Sequence, residues 1–185
     1  MVGNIVAGLI GIATWTLAEY LLHRFLGHDK RTWPNVFATE HTRHHSQGDY
    51  FAPSYKKALA ALGALAVLLP VSTAVAGMQR GAIFSASFVA MYLTYEWLHR
   101  RAHTHAGAGP YGRFLRRHHF HHHFGNPKAN HGVTTPIWDF VFGTLEPSAR
   151  VNVPEKLAMA WLLDPATGDV RSQFADAYQL VRRRV

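Results

Sequence analysis

Three stretches of this chain read as membrane segments from their runs of apolar residues. Val2 to Leu22 carries only Asn4 and Glu19 as strongly polar residues, Ala58 to Met78 carries no charge, and Ala82 to Leu98 carries one acid, Glu96, near its end. A helix needs about 20 apolar residues to cross the hydrocarbon core; the first two stretches satisfy this, and the third does so only if it extends. The first lacks the basic start of a signal peptide and reads as a retained span. Pro70 removes a backbone donor from the second and predicts a kink there. The short Gln79-Arg80-Gly81 connection then closes a hairpin between the second and third. Further along, Pro154 to Leu163 and Gln173 to Arg183 read as helices that cap the protein or lie on the membrane surface. The expected fold is therefore an all-α integral membrane protein with about three transmembrane helices. Residues 1–145 form its membrane domain and residues 146–185 a C-terminal helical extension.

A chain of 185 residues fits one domain, and its lack of cysteine excludes disulfides, thiolate metal sites and cysteine nucleophiles. The net charge of +8 and pI near 10.1 would suit nucleic acid, but the placement of the charge points elsewhere. Arg24, Lys30, Arg31, Arg43, Lys56, Lys57, Arg100, Arg101, Arg113, Arg116, Arg117 and Lys128 fall on one side of the alternating spans, against Arg80 and the amino terminus on the other. Basic flanking loops favour the cytoplasmic face. The charge is accordingly assigned to topology, and no nucleic-acid partner is expected.

Fourteen histidines stand out on that side. His23 and His28 form HxxxxH; His41, His44 and His45 form HxxHH; His99 and His103 form HxxxH. The run from His118 to His123 contains a further HxxHH, read either as His118, His121 and His122 or as His119, His122 and His123. Residues three and four apart share a helix face and can aim at one ion. The five-residue step from His23 to His28 turns a regular helix by about 140°, so these two share a site only if the helix ends or bends between them. Gly27 offers the break. Glu19 and Glu96 precede His23 and His99 by four and three positions. Each could fix the tautomer of its histidine, or instead pair with Arg24 or Arg100.

The order of these boxes resembles the fatty acid hydroxylase/sterol desaturase superfamily of membrane di-iron oxygenases, within flanks such as Glu19-Tyr20-Leu21-Leu22-His23-Arg24-Phe25. The phrase from Thr135 to Thr144, which includes Asp139, is similar to the family's ending after its last box. The likeness runs from about Trp15 to Leu145 and is nearest to fatty acid 2-hydroxylases.

The resemblance implies that the last box is read as His119, His122 and His123. The ligand set is then His23, His28, His41, His44, His45, His99, His103, His119, His122 and His123, held in a cytosolic helical cap. His118, His131 and Asp139, with Glu19 and Glu96, become candidates for orienting those ligands; His105 and His121 are extra. Ten imidazoles suit two metals with about five each. The family implies two iron ions, with zinc as a possible substitute that carries no redox change, and dioxygen as co-substrate.

The expected activity is hydroxylation of a C–H bond in a fatty acid or fatty acyl chain. Electrons would come from a separate donor, such as a cytochrome b5-like protein, a ferredoxin or a reductase. Trp15, Tyr92, Tyr95 and Trp97 are candidates for lining an apolar groove or for simple helix packing. Carotenoid hydroxylation and sterol methyl oxidation or desaturation are alternatives within the same chemistry. A membrane metal transporter or sensor is the non-enzyme alternative; transporter sites lie near the bilayer midplane, whereas these histidines follow the span ends.

Overall fold

The structure, a computed structural model, describes residues 1–182. It is mostly helical: α1 (Val2–Leu21), α2 (Val36–Gln47), α3 (Ser54–Ala76), α4 (Met78–Thr104), α5 (Gly109–Phe124) and α6 (Ile137–Val141), followed by strands β1 (Val151–Pro154) and β2 (Tyr178–Val181). Two compact units divide it: residues 1–19 with 52–97, and residues 20–51 with the chain from Leu98 onward.

The first unit is built from α1, α3 and α4. Two helical stretches, Val2–Gly27 and Ser54–Ala76, are long and apolar enough to cross a membrane. Only 22% and 6% of their most apolar windows are buried inside the protein, the reverse of a soluble core helix, and Leu9, Leu59 and Val75 are among the exposed side chains. The protein is accordingly membrane-associated. At 27 residues α4 has the length of a span, but it is not among the described helices apolar enough to cross.

The turn between α3 and α4 falls at Gly77, not at Gln79-Arg80-Gly81 as the sequence reading expected. Gly77 stands at φ 82°, a conformation that glycine reaches without strain, and its N–H closes on the Thr73 carbonyl at 2.9 Å. Gly81 lies inside α4 and serves close packing: a Cβ there would come within 2.4 Å of the Thr73 nitrogen. Ser72 Oγ, one turn before, meets Ser85 Oγ at 3.0 Å across the helix pair. Trp15 packs edge-on against Phe88 (5.4 Å) and lies 4.8 Å from Tyr92 and 5.6 Å from Tyr95, with Ala18, Ala61 and Ala64 letting the helices approach. Three of the four groove candidates are thus packing residues, and Trp97 is exposed.

In the second unit α2 begins at an Asn35 side chain that accepts the Ala38 N–H at 2.8 Å, a side-chain cap of the usual kind. The C-terminal segment corrects the sequence reading twice. Val151–Pro154 and Tyr178–Val181 are strands, paired in parallel with Val151 opposite Tyr178, and a single turn of 3-10 helix at Glu155–Leu157 is what remains of the first expected helix. Arg183, the end of the second expected helix, lies outside the described residues. The protein is therefore not all-α. The helix-forming run Glu155, Lys156 and Leu157 keeps only that one turn, while burial of Val151 and Val153 on one side of the chain before it favours a strand. Val151 and Val153 alternate inward and join Met159, Leu162, Phe174 and Tyr178 around Phe120 of α5. The segment is thus not a separate helical extension; it packs behind the histidine-bearing α5.

Candidate metal centre

All ten expected ligands lie in the second unit, where they gather into two groups of five. His23, His28, His41, His45 and His122 form one; His44, His99, His103, His119 and His123 form the other. Within each group the nearest ring nitrogens all lie within 4.8 Å of one another. Two imidazole nitrogens held about 2.1 Å from one ion are separated by about 3–4 Å, so each group closes on a single ion with little movement.

Helix geometry explains the partition. On α2, His41 and His45 are one turn apart and enter the first group, while His44, rotated by about 100° from His45, enters the second. On α5 the sense is reversed: His119 and His123 serve the second group and His122 the first. Each HxxHH box therefore gives two ligands to one group and one to the other. The groups meet where the His45 and His123 rings stack at 4.0 Å.

The five-residue step of the first box has a different solution from the expected break. The backbone over Leu22–Gly27 widens into a π-helix with His28 as its cap. Its i→i+5 repeat brings the His23 and His28 rings to 5.2 Å. Gly27 ends this turn and serves another purpose: a Cβ there would sit 3.1 Å from the His41 ring and 3.2 Å from Phe37.

Backbone carbonyls set three of the tautomers. His23 Nδ1–H donates to the His131 carbonyl (2.5 Å), His44 Nδ1–H to that of Tyr50 (2.7 Å) and His122 Nδ1–H to that of Ala129 (2.7 Å). A carbonyl only accepts, so in each neutral ring Nε2 is left with its lone pair, as a metal ligand requires. The Nε2 atoms of His23 and His41 approach to 3.1 Å, those of His41 and His28 to 2.8 Å, and those of His28 and His122 to 2.9 Å. In the second group His103 and His119 meet at 2.9 Å. His45 Nε2 and both His123 ring nitrogens are buried without a hydrogen-bond partner among the described residues. Such burial is costly unless something binds the lone pairs.

The electrostatics agree. Burial, then the charge of neighbouring imidazoles, pushes His28 down to about 4 and His45 to about 3, and holds His41, His122 and His123 well below the usual histidine range. The rings are neutral near pH 7, the form that binds metals. The donor set, all imidazole with no thiolate or carboxylate, suits iron, zinc, copper or nickel. The residues fit a pair of such ions.

Of the orienting candidates, three lie beside this centre. Asp139 is fully buried and accepts from the His131 N–H (2.7 Å), the Gly132 N–H (2.8 Å), Thr144 Oγ1 (2.8 Å) and His118 Nε2 (3.1 Å). Burial pushes its carboxyl up, but the hydrogen bonds from His118, Gly132 and Thr144 outweigh this and hold it below the usual carboxylate range. His131 stands 5.2–5.6 Å from the rings of His122, His23 and His28. Its Nε2–H donates to the Lys128 carbonyl at 3.2 Å, which leaves a buried Nδ1 lone pair.

Glu96 departs from expectation: its partners are Lys57 and Tyr92 rather than His99 or Arg100. Glu19 is buried, 3% exposed, with Tyr95 as an electrostatic neighbour. The extra histidines are satisfied elsewhere, His105 by Thr104 and His121 by Glu146.

Sequence reasoning missed the carbonyl acceptors at Tyr50, Ala129 and His131, which have no side-chain signature. It also missed Phe51, whose ring lies 5.2–5.9 Å from His44, His103 and His99. Asn130 was missed as well; it stands at φ 59°, a conformation uncommon outside glycine that marks a constrained turn. Its side chain clamps Glu146 through both backbone groups at 2.8 Å.

Two groups of five imidazoles braced by backbone carbonyls on a membrane-associated helical scaffold define a class of histidine-rich site that could hold metal ions. Comparison with known proteins places it further: the fatty acid hydroxylase family matches residues 8–144, and the chain belongs to that family. It is 33% identical to a dihydroceramide fatty acyl 2-hydroxylase of Arabidopsis thaliana, covering 78% of this chain and 61% of the relative. It is 35% identical to ceramide very long chain fatty acid hydroxylases of Schizosaccharomyces pombe and Saccharomyces cerevisiae, covering 75% and 77% of this chain but 42% and 39% of theirs. The chain thus spans between about two fifths and three fifths of these relatives' length. Among solved structures it is similar to the hydroxylase domain of full-length scs7p, with a TM-score of 0.58 and 27% identity over 77% of this chain and 57% of that one.

Proposed function

We propose that this protein is a membrane-bound di-iron lipid hydroxylase acting on a long fatty acyl chain, at the carbon next to the carbonyl, as the names of its relatives indicate for them. The observation that carries the reading is the pair of five-imidazole groups with carbonyl-fixed tautomers. His23, His28, His41, His45 and His122 hold one ion and His44, His99, His103, His119 and His123 the other. When bound, two iron ions supply the redox change that dioxygen activation needs, which zinc lacks. One oxygen atom enters the C–H bond and the other leaves as water, with two electrons from a separate donor protein and two protons from solvent.

The chain's own residues fix geometry and exclude water. His131 and Ala129 hold the His23 and His122 rings through their carbonyls, and Asp139 holds the His131 peptide. Phe51 and Phe120 place apolar rings against the second group, which keeps solvent from the centre. With α4 as a third span, the helices alternate direction and put the centre on the basic, cytoplasmic side.

The test compares lipid mass spectra from cells expressing the native chain and a His44→Ala variant. The reading predicts a fatty acyl species one oxygen heavier with the native chain alone. Identical spectra, with metal carried across vesicles instead, would replace the hydroxylase with a transporter.

A further inference from the structure

Helix α6 is folded inside out. Across Ile137–Val141 the buried residue is Asp139, while Ile137, Phe140 and Val141 are 58%, 75% and 57% exposed, and Phe142 and Leu145 continue the apolar surface at 45% and 36%. A helix facing water shows the opposite pattern. The inversion is enforced from within, because the four hydrogen bonds to Asp139 hold the carboxylate side inward and so turn the aromatic and aliphatic residues outward. Contiguous apolar surface of this kind marks a site that something apolar covers.

Neighbouring residues indicate what covers it. Tyr20 belongs to the stretch Val2–Gly27 that is apolar enough to cross a membrane, and its ring stacks on Phe142 at 5.2 Å and 13°. The same stretch exposes Leu22 and Phe25, and the Tyr20–Phe142 stack seats the end of α6 on the end of this helix. Arg24 donates to the Tyr20 hydroxyl at 2.8 Å, and its guanidinium lies 5.2 Å from the Phe25 ring centre. A cation laid along aromatic rings in this way suits the boundary between acyl chains and anionic headgroups.

We propose that α6 and Phe142 are immersed in the bilayer as a lipid-facing wedge, at the level where the first helix leaves the hydrocarbon. Short amphipathic segments of this kind reach about 5–10 Å into the headgroup and acyl boundary. The occupant is lipid, and the wedge is tied to the metal centre: Asp139 on its inner side holds the His131 peptide, whose carbonyl holds His23. The proposal rests on α1 as a membrane span and is independent of the oxygen chemistry.

The chain has no cysteine, so single labels are unambiguous. Ile137→Cys and Phe140→Cys each carry an environment-sensitive fluorophore in full-length protein reconstituted into phospholipid vesicles with acyl-brominated lipid. Leu9→Cys on α1 marks hydrocarbon, and exposed Ala166→Cys marks water. Because Phe140 is exposed, its replacement leaves the packing intact. The labels at 137 and 140 are expected to be blue-shifted and to lose most of their emission to bromine, as at Leu9, while the label at 166 is unaffected. A quenched Leu9 label beside a Phe140 label that behaves like Ala166 overturns the wedge. A Phe140→Cys variant that is unquenched and cross-links to itself assigns the face to a second copy. An unquenched Leu9 label overturns the membrane reading of α1 itself.

Discussion

Replacing Asp139 with asparagine changes one oxygen into an amide in a place where four donors converge. If the amide takes the Oδ2 position, it faces the Gly132 N–H now at 2.8 Å and His118 Nε2 at 3.1 Å. His118 can change tautomer and accept, but the Gly132 N–H cannot, so a buried donor is left facing a donor. Hydrogen bonds to a charged group contribute about 1.5–3 kcal/mol, and an unsatisfied buried donor costs about 1–3 kcal/mol. Asp139→Asn should therefore destabilise by about 2–4 kcal/mol, a fall in Tm of roughly 4–16 °C for a chain of this size. With the amide in the Oδ1 position instead, the stranded donor is the His131 N–H, and in either orientation the disturbed His131–Gly132 backbone loosens His23. Partners of this kind typically change metal affinity by about 10–100-fold. The assays are thermal unfolding in detergent and metal retention against a graded chelator. Asp139→Asn with native Tm and native metal retention would refute the reasoning.

Gly27→Ala places a methyl group 3.1 Å from His41 and 3.2 Å from Phe37. It should cost about 1–3 kcal/mol through overpacking and reduce metal bound by the first group, read as metal content per chain. Lys57→Met leaves Glu96 without its cation, which should lower Tm without changing metal content, because the pair lies in the other compact unit. His105→Ala should alter neither metal content nor turnover. Acid should unfold the metal-free protein. His28 and His45 fall from the ordinary 6.5 to about 4 and about 3 when folded, so the unfolded chain takes up protons first as pH falls. Their stabilising contribution is complete above about pH 6.5 and drains as pH drops through about 4 and then 3, measurable by tryptophan fluorescence in detergent. Bound metal should move that loss to lower pH.

The parts of this structure legible in the sequence are those set by local periodicity. The apolar runs gave α1 and α3, and the spacing of four placed His41 with His45, and His99 with His103, in common groups, whereas the expectation that His44 shares their point of aim failed because each HxxHH box divides between two groups. The register of the last box was not set by spacing, since His118/His121/His122 fits as well as His119/His122/His123, and only the family resemblance separated them. The π-helix at Leu22–Gly27 was hidden because an extra residue per turn has no composition of its own; the geometric conflict at HxxxxH was visible, but its resolution was not. The carbonyls of Tyr50, Ala129 and His131 were illegible because any residue supplies a carbonyl. Strands β1 and β2 were misread because helix-forming neighbours masked a two-residue alternation at Val151 and Val153, whose partner lies more than twenty residues away. Glu96 was offered His99 or Arg100 by proximity in sequence, while Lys57 reached it through the fold.

The central claim is that one chain holds two ions, each in its own set of five imidazoles. Purified protein loaded anaerobically with ferrous iron and freed of excess metal gives the direct count, together with variants that remove His28 and His45 from the first group or His103 and His119 from the second. The account predicts two irons per native chain and about one in each double variant. A native chain that retains one iron or none, or double variants that still retain two, would contradict it.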